Sequence, residues 1–391
     1  MSRILAGPFC TQILADLGAQ IIKIERPGVG DDTRYFAPPY LRNPDGSDSK
    51  ESAYFNAINR NKRSITLDYT KPQGEKILLK LMERSDVLVE NFKPGTLQKY
   101  GFGYESLKER FPGLVYCSMS GFGHTGPFSH KPAYDAMIQG MSGIMSLTGE
   151  PKGDPMKVGI SISDTTTGLF GALAVLAALQ HKNATGRGQH CDVAMLDTSL
   201  YMLANQGASF LATRENPKRY GNNHPSIVPY QVVPSSDGFF TLAIANDKAF
   251  ANFCKVAQRE DLLEDARFAT APERVKFREV VVPLVTEITR SKTSCWWQEH
   301  LEAVGVGVAP VSTLEDVFNN EQVKAREMVI QMEHPAIGGP VDYVAHPVKY
   351  SESVASYRTP PPLLGEHTAE VLSEMGFCDS QIEALGKEKV I

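Results

Sequence analysis

Residues 62–92, KRSITLDYTKPQGEKILLKLMERSDVLVENF, decide the fold class of this chain. The run KRSITLDYT predicts a strand, and DVLVENF, with the apolar run VLV, predicts another. Between them, KPQGEKILLKLMERS carries apolar residues at helical spacing and predicts an amphipathic helix. Strand, helix and strand in succession are typical of a βαβ unit, and they indicate a parallel sheet.

The same alternation continues on both sides of this stretch. Residues 7–19 predict a helix that ends at a glycine, and QIIKIER predicts the strand after it. Residues 103–111 predict a helix and GLVYCSMSGFG a strand. A helix from Asp164 to about His181, the strand HCDVAML and one long helix over 197–213 follow. We therefore expect an α/β fold whose strand-end loops, such as NFKPG and SGFGHTGP, meet at one edge, where ligands bind in open sheets.

The character of the sequence changes near Arg214. RENPKRYGNNHPSIVPYQ is polar and rich in turn residues, which is typical of a crossing between domains. PYQVVPSSDGFFTLAIA predicts a hairpin with Ser-Asp-Gly at its turn, within a mixed α+β region. TPPPLLGEHTAEVLSEMGF predicts an extended strap that enters a helix and lies across another part of the protein.

Composition limits the classes of function. The 391 residues exceed one ordinary core, and 42% hydrophobic with 22% charged residues is typical of a soluble globular protein. A net charge of −5 gives no basis for a nucleic-acid or anionic-membrane partner. No apolar run reaches the ~18 residues of a membrane span, and the first residues lack a signal-peptide pattern.

The six cysteines form no CxxC pair, and the nine histidines show no HxxxH or HxH spacing. We therefore expect buried free thiols in a reducing compartment and no metal site. A cytoplasmic location fits, as does a mitochondrial one if a targeting segment is missing.

A glycine-rich loop, GFGHTG at 121–126, matches the GxGxxG pattern of dinucleotide-binding turns. The segment after it, PFSHKPAYD, has two prolines and no helical period, although a dinucleotide's pyrophosphate needs a helix N-terminus there. We interpret the loop as flexible, which makes an NAD-dependent oxidoreductase the least favoured alternative.

Asp164 stands where the helix after GISIS begins. Aspartate at such a position is a favoured N-cap, and capping would lower the pKa of the carboxyl and keep it ionised. An ionised carboxylate can also act as a nucleophile. The local pattern leaves both roles open.

Several blocks, in order along the chain, resemble the class III coenzyme A transferases, a superfamily that includes formyl-CoA transferase, carnitine CoA-transferase and α-methylacyl-CoA racemase. They are LAGPFCTQILADLGAQIIKIERPGVGDDTR, NRNKRSITLD, VENFKPGTLQKYGFGYESL, YCSMSGFGHTGP, AYDAMIQGMSG, SDTTTGLFGALAVLAAL, ATGRGQHCDVAMLD and PPPLLGEHTAEVL. HPSIVPYQ and TPPPLLGEHT further resemble the branch that moves CoA between succinate and glutarate-like dicarboxylic acids.

The resemblance implies a large Rossmann-like domain whose parallel sheet is formed from both chain ends, with a smaller α+β domain inserted between them. The implied bounds are 1–213 for the first part of the large domain, 214–325 for the small domain with its linkers, and 326–391 for the return segment. It also implies a homodimer whose subunits interlock. Relatives usually carry a further strand before LAGPF, whereas this sequence opens almost at that motif.

The resemblance places the catalytic carboxylate at Asp164. That carboxylate attacks the donor thioester to give an acyl anhydride, and the released CoA thiolate then gives an aspartyl-CoA thioester, from which the acceptor acid takes CoA. Coenzyme A is a substrate, and no metal or permanently bound cofactor is implied. Backbone N–H groups near the oxyanions that form should matter.

The CoA contacts that the resemblance implies lie in the first part of the chain, at Gln12, Arg34, Leu67, Thr70, Asn91, Phe92, Lys93, Lys99 and Tyr134. The Phe92 ring can flank the adenine, and the Lys93 amine can meet phosphate.

Tyr134 distinguishes the branches of the superfamily, because the racemases carry a histidine in this motif as a second base. A phenol is a poor base near neutral pH, so tyrosine favours transferase over racemase. The racemase-like isomerase remains the alternative, and a CoA-binding relative without catalysis is a third interpretation. The Gly-rich loop of formyl-CoA transferases is absent, which makes oxalate a less favoured acceptor.

Overall fold

A computed structural model describes residues 1–391 and has a mixed α/β architecture. The chain forms two compact units. The first comprises Met1–Ile144, Val158–Arg214 and Gln322–Ile391, and the second comprises Met145–Lys157 and Glu215–Glu321. These units differ from the predicted domains in Met145–Lys157, which groups with the second unit, and in Arg214 and residues 322–325, which group with the first. The predicted arrangement of the domains stays a prediction.

The strands, in chain order, are β1 (Ile21–Glu25), β2 (Tyr40–Arg42), β3 (Asp48–Ser52), β4 (Lys62–Thr66), β5 (Val87–Glu90), β6 (Val115–Ser120), β7 (His190–Ala194), β8 (Tyr230–Pro234), β9 (Phe239–Ala243), β10 (Gly307–Pro310), β11 (Val329–His334) and β12 (Gly339–Val344). The helices up to residue 213 are α1 (Ala6–Asp16), α2 (Ala53–Ala57), α3 (Pro72–Glu83), α4 (Tyr104–Leu107), α5 (Asp135–Met141), α6 (Ile144–Leu147), α7 (Ile162–Thr185), α8 (Met195–Tyr201) and α9 (Ala204–Thr213). Those that follow are α10 (Asp247–Val256), α11 (Ala271–Lys276), α12 (Arg278–Thr289), α13 (Ser294–Glu302), α14 (Leu314–Asn319), α15 (Glu321–Ala325), α16 (Thr368–Glu374) and α17 (Asp379–Lys387). Short 3-10 turns lie at Asp32–Tyr35, Gln98–Tyr100 and Glu260–Leu263.

The first unit contains the predicted parallel strands. β1 pairs with β4, and β5, β6 and β7 form a second parallel group in that order. All of these strands lie between residues 21 and 194, so the C-terminal part adds no strand to them. In this respect the expectation of a parallel sheet built from both chain ends is wrong, because the C-terminal part packs against the strands as a strap and helices.

Helices cover both faces of these strands. Leu88 and Tyr116 belong to the same buried cluster as residues of α3 and α16, whereas their neighbours Val89 and Cys117 belong to a second cluster with α1 and α7. Successive side chains of a strand point to opposite faces, so both faces of β5 and β6 are buried. This burial explains the apolar runs VLV in β5 and VYC in β6.

The two parallel groups do not pair with each other. A cavity of about 510 Å³ lies between them, lined by residues of β1 and β5 and by α1, α3 and α7. The Met1 ammonium donates to the Val89 carbonyl at 2.8 Å beside this cavity. The inner edges of β1 and β5 therefore carry no strand-to-strand hydrogen bonds.

Helix α7 is the longest element, with 24 residues, and it is the one helix long and apolar enough to cross a membrane. Its sequence contains no unbroken apolar run of about 18 residues, and one helix that meets a test of length and composition is weak evidence for a membrane span. One face of α7, with Ala172, Val175 and Ala178, is buried, and the helix packs on α1 and β6. This buried face contributes to the core of the first unit.

The predicted helix over 197–213 is two helices in the structure. The first turn of α8 starts earlier, at Met195, and the chain interrupts the helix between Tyr201 and Ala204. Ala204 has a φ of 44°, which lies outside the right-handed helical region and explains the break.

The second unit is built around an antiparallel sheet. β8 and β9 form the predicted hairpin, and β10 adds to the outer edge of β9. Trp297, Phe240 and Phe253 stack in its core, with helices α10 and α13 around them.

The C-terminal strap returns to the first part of the chain, as predicted. Ser356 donates its backbone N–H to the Asp16 carbonyl at 2.9 Å, and His367 donates to the Ser64 carbonyl at 2.9 Å. The strap thus links α1 and β4 before the chain enters α16.

Candidate active site

Asp164 is the third residue of α7, so it is not the cap of the helix. Ser161 occupies the N-cap position without a side-chain cap bond. The carboxylate of Asp135, the first residue of α5, accepts instead from the backbone N–H groups of Ser163 at 2.9 Å and Asp164 at 3.3 Å. The capping prediction for Asp164 is wrong because a carboxylate from another helix occupies the donors that it would use.

The Asp164 carboxyl is half-buried, and its ionisation differs from the expectation. Burial, and secondly the nearby Asp135 charge, raise the pKa of Asp164 to about 7. The predicted lowering of the pKa is therefore wrong, since no helix N–H bonds to this carboxyl. A carboxylate with so little solvation is a stronger nucleophile than an ordinary surface aspartate.

Tyr54, which the sequence analysis did not single out, lies close to this carboxyl. Burial, and then the negative charge of Asp164, raise the pKa of its phenol, which also hydrogen-bonds to Ser161. No local pattern distinguishes Tyr54 within ESAYFN, because α2 places it near Asp164 only through the fold.

Tyr134 stands at the N-cap position of α5, directly before Asp135, and 65% of its surface is exposed. Tyr134 is therefore adjacent in the chain to Asp135, whose carboxylate accepts from the first-turn amides of α7. Its side chain is open to a ligand on this side of the first unit.

Six of the predicted CoA-contacting residues lie just after β4 and β5. They are Leu67, Thr70, Asn91, Phe92, Lys93 and Lys99. The rings of Tyr69 and Tyr100 meet at 5.9 Å and bring the two segments together. Thr70, Lys93 and Lys99 are exposed, whereas Leu67 is buried in the core and Phe92 packs against that core.

Three of the predicted contacts, Asn91 among them, are engaged with the protein itself. Gln12 is buried, donates to the Ala57 carbonyl at 3.1 Å and accepts from the Arg60 backbone at 3.2 Å. Arg34 forms two bonds to Glu25, at 2.7 and 2.9 Å, and its guanidinium lies 3.7 Å from the centre of the Phe55 ring. The Asn91 amide donates to the Arg3 carbonyl at 2.7 Å. Their predicted contacts with CoA stay predictions.

The GFGHTG loop follows β6 and leads to no helix until α5 begins at Asp135. It therefore lacks the helix N-terminus that a dinucleotide's pyrophosphate requires. Beside it, a cavity of about 220 Å³ is lined by residues that include Glu90, Lys93 and His124. Burial raises the pKa of Glu90 there.

Comparison with known proteins identifies the family of this chain. The family described as CoA-transferase family III matches residues 1–368. The chain is 42% identical to the succinate–glutarate CoA-transferase of Agrobacterium fabrum, over 96% of this chain and 93% of that one. It is 38% identical to the human succinyl-CoA:glutarate CoA-transferase, over 96% of this chain and 84% of the relative.

A solved structure is similar as well. A CAIB/BAIF family protein from Brucella suis is 42% identical and superposes with a TM-score of 0.84, covering 96% of this chain and 97% of that one. The resemblance inferred from the sequence is thereby confirmed. The chain belongs to CoA-transferase family III and is a class III CoA-transferase, an enzyme that uses CoA thioesters as substrates without a bound cofactor.

Proposed function

We propose that the protein moves CoA from succinyl-CoA to a short dicarboxylic acid of the glutarate kind, with Asp164 as the residue that is acylated. The observation that carries this proposal is the Asp164 carboxyl, which is half-buried and accepts no hydrogen bond. The names of the two relatives at 42% and 38% identity support the choice of substrates.

The proposed reaction begins with attack of an Asp164 carboxylate oxygen on the thioester carbonyl. The C–S bond breaks, CoA leaves as the thiolate, and an aspartyl–acyl anhydride remains. The thiolate then attacks the aspartyl carbonyl and expels the donor acid as its carboxylate, which leaves an aspartyl-CoA thioester. The acceptor carboxylate reverses these two steps and restores Asp164. The anhydride is about as reactive as the thioester that it replaces. The equilibrium constant of each step is therefore near one.

The exposed cations Lys93 and Lys99 suit the phosphates of CoA in this proposal, with Phe92 beside the adenine. Tyr54 lies close to the reacting carboxyl, Tyr134 directly precedes Asp135, and both would contact the acids. Tyr134 in place of a histidine also argues against a racemase, because a second base is missing there.

We also propose that two copies form the predicted homodimer. The outer face of α7 exposes Leu169, Leu173 and Leu176, and α8 exposes Leu200 and Tyr201. Monomeric proteins rarely leave so many large apolar side chains together on one surface. A second copy that covers this face would remove these side chains from water. The interlocked form, and the cytoplasmic location, stay predictions.

An acceptor screen tests the function. The enzyme is incubated with succinyl-CoA and separately with glutarate, malate, mesaconate, oxalate and acetate, and new thioesters are measured by mass spectrometry. We expect CoA exchange with at least one dicarboxylate, and we expect Asp164→Ala to lower it by at least about 10³-fold. Deuterium uptake at the α-carbon of a 2-methylacyl-CoA, without acyl exchange, would instead establish an isomerase.

A further inference from the structure

The carboxylate of Asp135 joins three parts of the active-site region. Its Oδ1 accepts from the Ser163 and Asp164 amides, as described above, and its Oδ2 accepts from the Gln139 side-chain amide at 2.6 Å. Gln139 is fully buried one turn further along α5. The Asp135 side chain of α5 thus holds the backbone of the first turn of α7 by hydrogen bonds.

Gln139 extends this connection to the segment before α7. Its Oε1 accepts from the Val158 backbone N–H at 2.9 Å, and its Nε2 also approaches the Ile160 carbonyl at 3.4 Å. Asp135 and Gln139 together therefore fix the chain from Val158 to Asp164. The position of the Asp164 backbone is set by α5 rather than by a cap of its own.

The same arrangement controls the surroundings of the Asp164 side chain. An aspartate in the first turn ordinarily gains by bonding to free helix N–H groups. Here Asp135 takes those donors and adds a second negative charge, while Tyr54 is the titratable group from α2 that faces the pair. No lysine or arginine contributes to the pKa of Asp164.

We propose that Asp135 is a positioning residue that, by taking the helix amides and opposing the Asp164 charge, favours the acylated forms of Asp164 over its free carboxylate. This inference rests on the proposed function. In that reaction the Asp164 carboxylate loses its charge when it becomes an anhydride or a CoA thioester. Conversion of the anion therefore removes a charge repulsion, and the equilibrium between free enzyme and thioester shifts toward the thioester.

Asp135→Asn tests this role, because it keeps the size and one acceptor oxygen but removes the charge. Enzyme is mixed with succinyl-CoA in the absence of an acceptor, and the ratio of aspartyl-CoA thioester to free enzyme is measured by intact-protein mass spectrometry. We expect this ratio to fall about three- to tenfold, the change that up to one pKa unit of charge interaction represents. We also expect the acid limb of kcat/KM to move to lower pH, a change that a purely structural role would not cause.

Two further variants make the test specific. Asp135→Ser leaves a hydroxyl that can still accept from the α7 amides, and it should change both measurements in the same direction as Asp135→Asn. Asp379→Asn removes an exposed acid from the first turn of α17 and should change neither. Unfolding curves of each variant show that the measured protein is folded.

The outcomes separate this inference from the proposed function. If wild type forms the thioester on Asp164 and Asp135→Asn matches it in both ratio and pH profile, the positioning role is wrong and the transferase remains. If wild type forms no thioester on Asp164, the proposed function is overturned together with this inference.

Discussion

Gly168 of α7 and Ala6 of α1 approach so closely that a Cβ atom at Gly168 would lie 2.7 Å from the Ala6 carbonyl oxygen. The contact lies one turn beyond Asp164, and it fixes the position of α7 along the first residues of α1. No side chain larger than hydrogen fits there without moving a backbone.

Gly168→Ala is therefore expected to lower the free energy of unfolding by about 1–3 kcal/mol, because the added methyl group overpacks two helices. It should also lower kcat, since α7 must shift and carry Asp164 with it. Urea unfolding and steady-state kinetics measure the two effects. Gly386→Ala in α17 is the matched control: its Cβ would meet nothing within 4 Å, so alanine should stabilise the helix slightly. If the two variants had equal free energies of unfolding and equal kcat values, the close contact at Gly168 would be contradicted.

The pKa of Asp164 predicts the pH dependence of the reaction. In the proposed reaction the attacking species is the Asp164 carboxylate, so kcat/KM should fall about tenfold per pH unit below pH 7 and level off above it. An initial-rate profile from pH 5 to 9 checks this. A limb near pH 4, the range of an ordinary aspartate, would show that the carboxyl is not buried as described.

The same pKa predicts a stability effect with a definite sign. The folded state keeps the proton of Asp164 up to about pH 7, whereas the unfolded state releases it near 3.8, so stability falls as pH rises between these values. Asp164→Asn should therefore raise the free energy of unfolding by about 1–3 kcal/mol at pH 8, with no gain below pH 4. Urea unfolding at pH 4 and pH 8 gives the change in the free energy of unfolding at each pH. An equal gain in stability at both pH values would refute the raised pKa of Asp164.

Arg34 forms an ion pair with Glu25 and is also a predicted CoA contact. A pair of variants separates these two roles. Its ion pair with Glu25 is buried, with side-chain exposures of 10% and 1%, so Arg34→Met should cost about 3 kcal/mol by leaving a buried charge unpaired. Arg60→Met breaks the equally buried pair with Asp16 and should cost a similar amount. If Arg34 also contacts CoA, only Arg34→Met raises the KM for succinyl-CoA. Equal KM values in the two variants would leave Arg34 a structural role alone.

Lys93 and Lys99 should affect binding without affecting stability, since both are exposed. Each change to alanine should raise the KM for succinyl-CoA several-fold, by an amount that shrinks as salt is added, because the contact is between exposed charges. Lys76→Ala, on the exposed face of α3, is the control. If Lys76→Ala raised KM as much, the effect would reflect net charge rather than a phosphate contact.

The sequence was sufficient to predict the strands and helices that repeat with a clear period. β4, α3 and β5 lie where KRSITLDYT, KPQGEKILLKLMERS and DVLVENF place them, because α3 buries apolar residues at helical spacing and the strands carry β-branched residues. Family blocks, rather than any local rule, identified Asp164 as the candidate nucleophile.

The surroundings of Asp164 could not be predicted in the same way. Asp135 is 29 residues away along the chain, and only the packing of α5 on α7 brings its carboxylate to the Asp164 amide. Tyr54 and the Glu25 partner of Arg34 are likewise contacts made by the fold. A sequence shows that a charge is present, but its partner and hence its pKa depend on tertiary structure.

The division of the parallel strands into two groups also affects how the protein opens. β1 and β4 share their hydrophobic layers with β5, β6 and β7, but no backbone ladder crosses the cavity between β1 and β5. Side-chain packing alone therefore couples the two groups, and each can separate as its own cooperative segment. In deuterium exchange, the amides of β6, which is paired on both sides, should be the slowest of the first unit, and those of β1 should exchange first among its buried strands.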